Sequence, residues 1–242
     1  MAIEITEEQL FDYINCPLRY DARYRLKAVT KNHPSMNTLL NKVANSFLLA
    51  LMDGVVLPTS QLKKKWDKIC EENRDIISQK KCIEGISDLI KMFQWAEDKQ
   101  LRVSDVQIPY SYLSSDKNII VSGIVRGAAI PMEKGKYELL ELDFSSKYPD
   151  QAMLDMRLKT TLDWFACQRI YRNNELAGVH VHHVKSNRDW FTYRGADEKA
   201  RLDASVLGIV TGVQQKIFYP RESAFCSSCD MKNYCRMWRG VK

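Results

Sequence analysis

Residues 226–235 read CSSCDMKNYC and place three of the chain's seven cysteines at C-x2-C-x5-C spacing. The residues between the cysteines are polar and turn-prone, so a tight loop could bring three thiolates to one centre. Structural zinc sites and iron–sulfur clusters both take four ligands, and no Cys or His follows Cys235. A metal centre here would therefore need a fourth ligand from elsewhere in the chain.

Two places could supply that fourth ligand. Cys16 lies near the start of the chain in the segment CPLRY. His180, His182 and His183 lie on an expected strand, where alternation places the first two on one face and the third on the other. The remaining cysteines fall on expected helices and are interpreted as small buried hydrophobic residues; they are Cys70, Cys82 and Cys167.

The composition is that of a globular protein. Of the 242 residues, 45% are hydrophobic and 27% are charged, which excludes global disorder and allows one large domain or two small ones. No apolar run approaches the roughly 18 residues of a membrane span, and the segment MAIEITEEQL lacks an apolar signal core. The odd number of cysteines argues against a disulfide framework and for a reducing, cytoplasmic location. The net charge of +6 permits a polyanionic partner without requiring one.

Hydrophobic periodicity predicts an α/β protein. Thr6 and Gln9 have capping-box spacing, so a first helix is expected to begin at Thr6. Further helical segments are expected over 35–100, 150–172 and 197–218. Strands are expected over 106–110, 119–130 (interrupted by Gly123 and Gly127), 137–144, 179–184 and 190–193, the last two as a hairpin. We interpret this order as one α/β domain with a helical insertion.

The CPLRY segment at Cys16, paired with the C-terminal cysteine triplet, resembles the iron–sulfur nucleases of the RecB-like PD-(D/E)XK superfamily. That group includes the AddB-type nuclease domains and the CRISPR-associated RecB-like exonucleases. The resemblance implies one restriction-endonuclease-like domain over 1–242, with a helical insertion at about 35–100 and a core sheet flanked by helices at about 103–220. It also implies a [4Fe–4S] cluster that staples the two chain ends, held by Cys16, Cys226, Cys229 and Cys235. A Zn²⁺ site is the alternative, because the spacing alone fits both metals.

The catalytic pattern of that superfamily is only partly present. Its members carry G-x-x-D on one strand and (D/E)-x-K on the next, because a divalent cation needs carboxylate ligands and the attacking water needs a nearby lysine. Here Gly123 is followed by Arg126 where the aspartate is expected, Asp143 is followed by Ser145 where the lysine is expected, and the Q-x-x-x-Y helix is missing. A guanidinium cannot bind Mg²⁺, so Asp143 is expected to be an internal partner of Arg126. We therefore expect an inactive nuclease fold without catalytic residues or catalytic Mg²⁺.

Three functions remain open at this point. The first is a non-catalytic iron–sulfur protein that binds DNA, especially single-stranded DNA, and recruits a polymerase, helicase or recombination enzyme in replication, recombination or transcription. Basic residues interleaved with aromatic ones favour it, since phosphate neutralisation and base stacking bind single strands; the expected contacts are Arg126, Arg19, Arg23, Lys185, Arg188, Trp190 and Arg236. The alternative is an active metal-dependent single-stranded DNA exonuclease with displaced residues, namely Glu141, Asp143 and Asp150 with Lys147 as the lysine. The third is an interaction module without DNA contact.

Overall fold

The computed structural model describes residues 2–28, 34–55, 57–115, 118–125, 127–147, 150–171, 176–223, 226, 229–232, 234 and 235. The helices are α1 (Glu7–Asn15), α2 (Pro17–Tyr20), α3 (Met36–Met52), α4 (Thr59–Glu72), α5 (Gln79–Asp98), α6 (Gln151–Asp155), α7 (Leu158–Cys167) and α8 (Ala196–Gln214), with a π-helical turn at Asp21–Arg25 and a 3-10 turn at Glu133–Gly135. The strands are β1 (Ile3–Thr6), β2 (Asp105–Val106), β3 (Pro109–Leu113), β4 (Ile119–Ile124), β5 (Ala128–Pro131), β6 (Tyr137–Asp143), β7 (Leu176–His183) and β8 (Arg188–Thr192).

The chain groups into two compact units, each assembled from separate segments. Unit 1 takes Met1–His33, Ser111–Gly123 and Lys199–Lys242, and unit 2 takes Pro34–Tyr110 and Ile124–Glu198. The α/β class expected from the sequence is confirmed by the mixed sheets and their helices. The restriction-endonuclease-like core and the single-domain organisation stay predictions.

Unit 1 contains a three-stranded sheet of order β1-β4-β3, in which β1 runs parallel to β4. β1 leads directly into α1, whose start is fixed by a capping box. The Gln9 N–H donates to Thr6 Oγ1 (3.2 Å), and the Thr6 N–H donates to Gln9 Oε1 (2.9 Å). The predicted helix start is therefore confirmed, whereas the sequence pattern did not indicate the strand before it.

Unit 2 contains a five-stranded sheet of order β2-β5-β6-β7-β8. β6 and β7 are parallel, while the other neighbouring strands are antiparallel. Helices α3, α4 and α5 occupy the stretch predicted as a helical insertion, and they form a core with the sheet through buried residues such as Phe47, Trp66, Leu89, Met92 and Leu140. The predicted hairpin at the end of the sheet is confirmed as β7 and β8.

The strand expected over 119–130 is instead two strands, β4 and β5, which belong to different sheets. Gly127 lies between them and approaches the backbone of β6 so closely that a Cβ would stand 1.9 Å from Leu140 O. Glycine alone permits this approach because it has no Cβ. The contact lets β5 begin at Ala128 directly opposite Leu140. Alternation read along the sequence cannot reveal this exchange of sheets.

The helix expected over 150–172 is likewise divided, into α6 and α7. Asp150 caps α6 by accepting a hydrogen bond from the Met153 N–H (2.7 Å). Arg157 separates the two helices with an extended backbone (φ −68°, ψ 108°). Its side chain reaches β6, where it forms part of the candidate site.

A disulfide joins Cys70 of α4 to Cys82 of α5, with a Cα–Cα distance of 6.1 Å. Both residues are partly buried against the core, but they are disulfide partners, whereas the sequence interpretation took them as separate small hydrophobic side chains. The short connection between α4 and α5 brings the cysteines together, and sequence spacing does not show which helix faces meet. Cys167 is fully buried as expected, and burial raises its pKa to about 12.

Candidate functional site

Two carboxylates and one arginine meet at the end of β6. Glu141 and Asp143 share a sheet face because they are two residues apart on a strand. The Arg157 guanidinium lies 3.4 Å from Glu141 Oε2 and 3.1 Å from Asp143 Oδ2. We name this group the β6 cluster. It brings together two residues of the predicted catalytic alternative with an arginine that the sequence pattern did not single out.

Asp143 is held as a carboxylate despite its burial. Burial opposes its ionisation, but hydrogen bonds from Ser145 and the Arg157 guanidinium hold its pKa below the ordinary range. The Ser145 N–H donates to Asp143 Oδ1 at 2.8 Å. Glu141 Oε2 accepts from the Thr160 hydroxyl (3.2 Å) as well as from Arg157. The guanidinium thus stands where a divalent cation between the two carboxylates would have to bind.

The other residues of the catalytic alternative make local contacts. Ser145 donates its hydroxyl proton to the carbonyl oxygen of Lys147 (2.9 Å), and the Lys147 side chain is exposed. Asp150 serves as the cap of α6. Arg126, the expected partner of Asp143, lies outside the described residues. Among the described residues, Arg157 forms an ion pair with Asp143.

Two expected DNA contacts share the sheet face of the β6 cluster. The β6–β7 register pairs Asp143 with His183, and the β7–β8 register pairs His183 with Arg188. Directly opposed residues lie on one face, so Arg188 lies on the same face as Asp143, and Trp190 follows it two residues later. Arg188 is exposed and Trp190 is half-buried against the edge of the His183 ring.

Of two further expected DNA contacts, the structure describes Lys185 but not Arg236. The Lys185 ammonium is 3.8 Å from Asp88 Oδ2, and Lys185 is an exposed residue. Arg236 lies outside the described residues. The prediction that these two cations contact DNA stays a prediction.

Arg19 and Arg23 are paired inside unit 1. Arg23 is 12% exposed, with its guanidinium 2.6 Å from Asp12 Oδ2 and 2.5 Å from Asp230 Oδ2. Arg19 contacts the same two carboxylates at 3.7 Å and 3.3 Å. The hydrogen bond from Arg23 holds the pKa of Asp230 below the ordinary range against the opposing effect of burial. These arginines link the first helices to the C-terminal segment, and their expected contact with DNA stays a prediction.

The two ends of the chain meet beside Cys16. The Tyr13 hydroxyl donates to Ile217 O (2.8 Å), and the Leu18 N–H donates to Tyr219 O (3.1 Å). The Arg221 guanidinium donates to Ile14 O (2.7 Å). The segment after α8 therefore runs along α1 and α2, and it brings the C-terminal cysteines toward the N-terminal one.

Three of the four predicted ligands accept backbone hydrogen bonds at sulfur. Arg221 N is 3.5 Å from Cys16 Sγ, Ser223 N is 3.4 Å from Cys226 Sγ, and Met231 N is 3.4 Å from Cys229 Sγ. Cys226 Sγ also lies 3.9 Å from Arg221 O, so Cys16 and Cys226 contact the backbone of one residue. Burial raises the pKa of Cys229, assisted by Asp230 and Cys16 and opposed by the Met231 N–H and Arg19.

The cysteine set fits a metal in chemistry and only in part in geometry. Four thiols, three of which accept N–H···S bonds, are a donor set that suits iron–sulfur clusters and zinc. Over the described residues, however, no group of three Cys, His, Asp or Glu side chains is arranged to hold a metal ion. Cys16 and the C-terminal loop are brought together, whereas the convergence of all four sulfur atoms stays a prediction.

Comparison with known proteins identifies no family. No family model matches the chain, and no curated protein is similar to it. Among solved structures, the crystal structure of SSO0001 is similar over 97% of this chain and 86% of that one, at 13% identity and a TM-score of 0.45. A likeness at this level carries no argument about function. None of the helices among the described residues has both the length and the apolar character needed to cross a bilayer.

Proposed function

We propose that this protein is a non-catalytic DNA-binding protein, with single-stranded DNA as its main ligand, built on an inactivated nuclease fold. It would act as an accessory or recruitment factor for a polymerase, helicase or recombination enzyme. The proposed loss of catalysis rests on the position of Arg157, whose guanidinium lies within 3.4 Å of both Glu141 and Asp143. A guanidinium paired with both carboxylates competes with a metal ion for their oxygen atoms, and it cannot activate water as a metal ion does.

The proposed DNA contact is the sheet face that carries the β6 cluster. Arg188 supplies an exposed cation there, and Trp190 supplies an aromatic ring two residues away. Phosphates would pair with the guanidinium, and unstacked bases would stack on aromatic faces. Binding should therefore favour single strands over duplex and weaken as the salt concentration rises.

Arg188→Glu tests this face. Anisotropy of a labelled oligonucleotide should report weaker binding for this variant and a salt dependence reduced by about one phosphate contact. Arg102→Glu is the matched control, because Arg102 is exposed on the segment after α5 and the charge change is identical. Equal affinity of wild type and Arg188→Glu would place DNA elsewhere. Absence of binding at low salt would favour an interaction module instead.

The proposed cofactor is a [4Fe–4S] cluster held by Cys16, Cys226, Cys229 and Cys235, with Zn²⁺ as the alternative. The N–H···S bonds and the contact of the chain ends support this set. Such a cluster would covalently join the two ends of unit 1. Anaerobically purified protein should contain about four iron and four sulfide per chain, and Cys16→Ala should lose both. One stoichiometric zinc per chain in a colourless protein would contradict the cluster.

The exonuclease alternative retains one supporting observation. The β6 cluster combines two carboxylates with one guanidinium, and Glu141 Oε1 is buried without a hydrogen-bond partner among the described residues. A cation could use that oxygen if Arg157 moved away. Metal-dependent cleavage is therefore the measurement that separates the two functions.

A further inference from the structure

Two histidines and an aspartate form a buried polar group on the opposite face of the sheet in unit 2. His182 Nδ1 lies 2.7 Å from Asp189 Oδ1, and His180 Nε2 lies 3.0 Å from the same oxygen. A carboxylate can only accept, so the His182 Nδ1–H donates this hydrogen bond. His182 is completely buried, and its Nε2 has no hydrogen-bond partner among the described residues.

Helix α5 is attached to the sheet through this group. The Trp95 ring stacks on the His182 ring with centroids 3.9 Å apart and 17° between the planes. The Trp95 indole N–H donates to Asp189 Oδ2 (3.4 Å), and the Lys99 ammonium lies 3.6 Å from that oxygen. The last turns of α5 therefore depend on a neutral ring and an ionised carboxylate on β7 and β8.

We propose that His182 is a proton-sensitive latch, which holds the C-terminal part of α5 on the sheet when neutral and releases it on taking up one proton. The proton would enter at Nε2, where the described structure offers no acceptor. A buried imidazolium whose Nε2–H has no acceptor costs free energy even beside the Asp189 carboxylate, and opening of α5 would recover that free energy.

The charged and titratable groups around His182 determine whether its protonation favours the closed or the open state of α5. His180 and His183 flank it on β7, Glu138 faces His180 from β6 at 4.0 Å, Asp189 lies on β8 and Lys99 on α5. Burial lowers the pKa of His182, and this outweighs the opposing influence of Asp189. The closed state thus prefers the neutral ring, so opening becomes easier as the pH falls below about 6.5, where an exposed imidazole takes up a proton.

Hydrogen exchange tests the latch. Between pH 7.5 and pH 5.5 the opening constant of the segment around Trp95, corrected for the intrinsic exchange rate, should rise about tenfold in the wild type. His182→Asn keeps a donor for Asp189 but does not titrate in this range. The ratio of its opening constants at pH 5.5 and pH 7.5 should therefore stay near one. His183→Asn is the matched control, because His183 lies on the other face, and it should keep the wild-type ratio.

The outcomes that overturn the proposal are distinct. A His182→Asn protein that keeps the tenfold rise would assign the effect to another group, such as His180. If the opening constants of the wild type at pH 5.5 and pH 7.5 are equal, His182 is not a proton-sensitive latch. If His182→Asn does not fold, NMR of labelled histidines in the wild type decides: the His182 ring should stay neutral in closed molecules while exchange at the Trp95 indole accelerates. A His182 ring that becomes protonated while indole exchange is unchanged would contradict the latch.

Discussion

Two groups of arginines and carboxylates, one in each unit, combine the same side chains in different proportions. In unit 1, Arg19 and Arg23 contact Asp12 and Asp230, so two positive charges meet two negative ones beside the exposed Glu8. We name these four residues the end cluster.

In the β6 cluster, Arg157 alone meets Glu141 and Asp143, and one negative charge remains. Arg157 is 34% exposed, whereas Arg23 is 12% exposed. The end cluster is therefore suited to holding segments of the chain together. The β6 cluster keeps an uncompensated negative charge beside a more exposed guanidinium, and under the proposed function this difference separates a structural ion-pair group from an inactivated metal site.

The largest expected effect is that of Arg23→Ala. Removing this side chain takes the nearest guanidinium away from two largely buried carboxylates, so the free energy of unfolding should fall by about 3 kcal/mol. Urea denaturation measures this loss. Arg25→Ala is the control: Arg25 is half-exposed and pairs with Asp21 within one helical turn, so its removal should cost clearly less than that of Arg23. Equal losses for the two variants would contradict the structural role of the end cluster.

Arg157→Ala should have a smaller effect on stability, about 1 kcal/mol, because its guanidinium is partly solvated. It should also create a cation site. Thermal denaturation with and without Mn²⁺ should show metal-dependent stabilisation in Arg157→Ala and much less in the wild type. Arg157→Lys keeps the charge and should resemble the wild type. A wild type that is stabilised as strongly as Arg157→Ala would mean that the guanidinium does not block the site.

The smallest expected effect concerns the pKa of Asp143. Arg157→Ala should raise it, because burial persists while the guanidinium is lost, although the Ser145 hydrogen bonds limit the change. The lowered pKa in the wild type stabilises the fold above the unfolded value of about 3.9, and this contribution disappears as the pH falls through the folded value. The difference in unfolding free energy between wild type and variant should therefore be full at pH 7 and shrink below about pH 4. A pH-independent difference would show that charge pairing is not its cause.

Local signals in the sequence predicted part of the fold. The capping box at Thr6, the helical stretch after residue 35 and the β7–β8 hairpin depend on neighbouring residues, and all three are confirmed. The division of residues 119–130 depends on contact between Gly127 and Leu140, and the pairing of Cys70 with Cys82 depends on how two helices face each other. Such contacts join distant or oppositely oriented segments, and periodicity does not encode them.

The candidate site, too, could be predicted from the sequence only where its residues lie on one element. Alternation placed His180 and His182 together on one face and His183 on the other, as the register confirms. Arg157 and Asp189 were missed because each reaches its partners across elements. The only signal for Arg157 is a basic residue within an otherwise continuous helical pattern, which does not indicate what it contacts.

Cleavage of labelled single-stranded DNA in the presence of Mg²⁺ or Mn²⁺ directly tests whether the protein binds DNA without cutting it. The assay should use wild-type protein that has first been shown to bind the same oligonucleotide. We expect bound DNA without degradation above background, because the Arg157 guanidinium occupies the position between Glu141 and Asp143 that a metal ion would need. Metal-dependent degradation that disappears in Asp143→Ala would contradict this expectation and establish the protein as an active exonuclease.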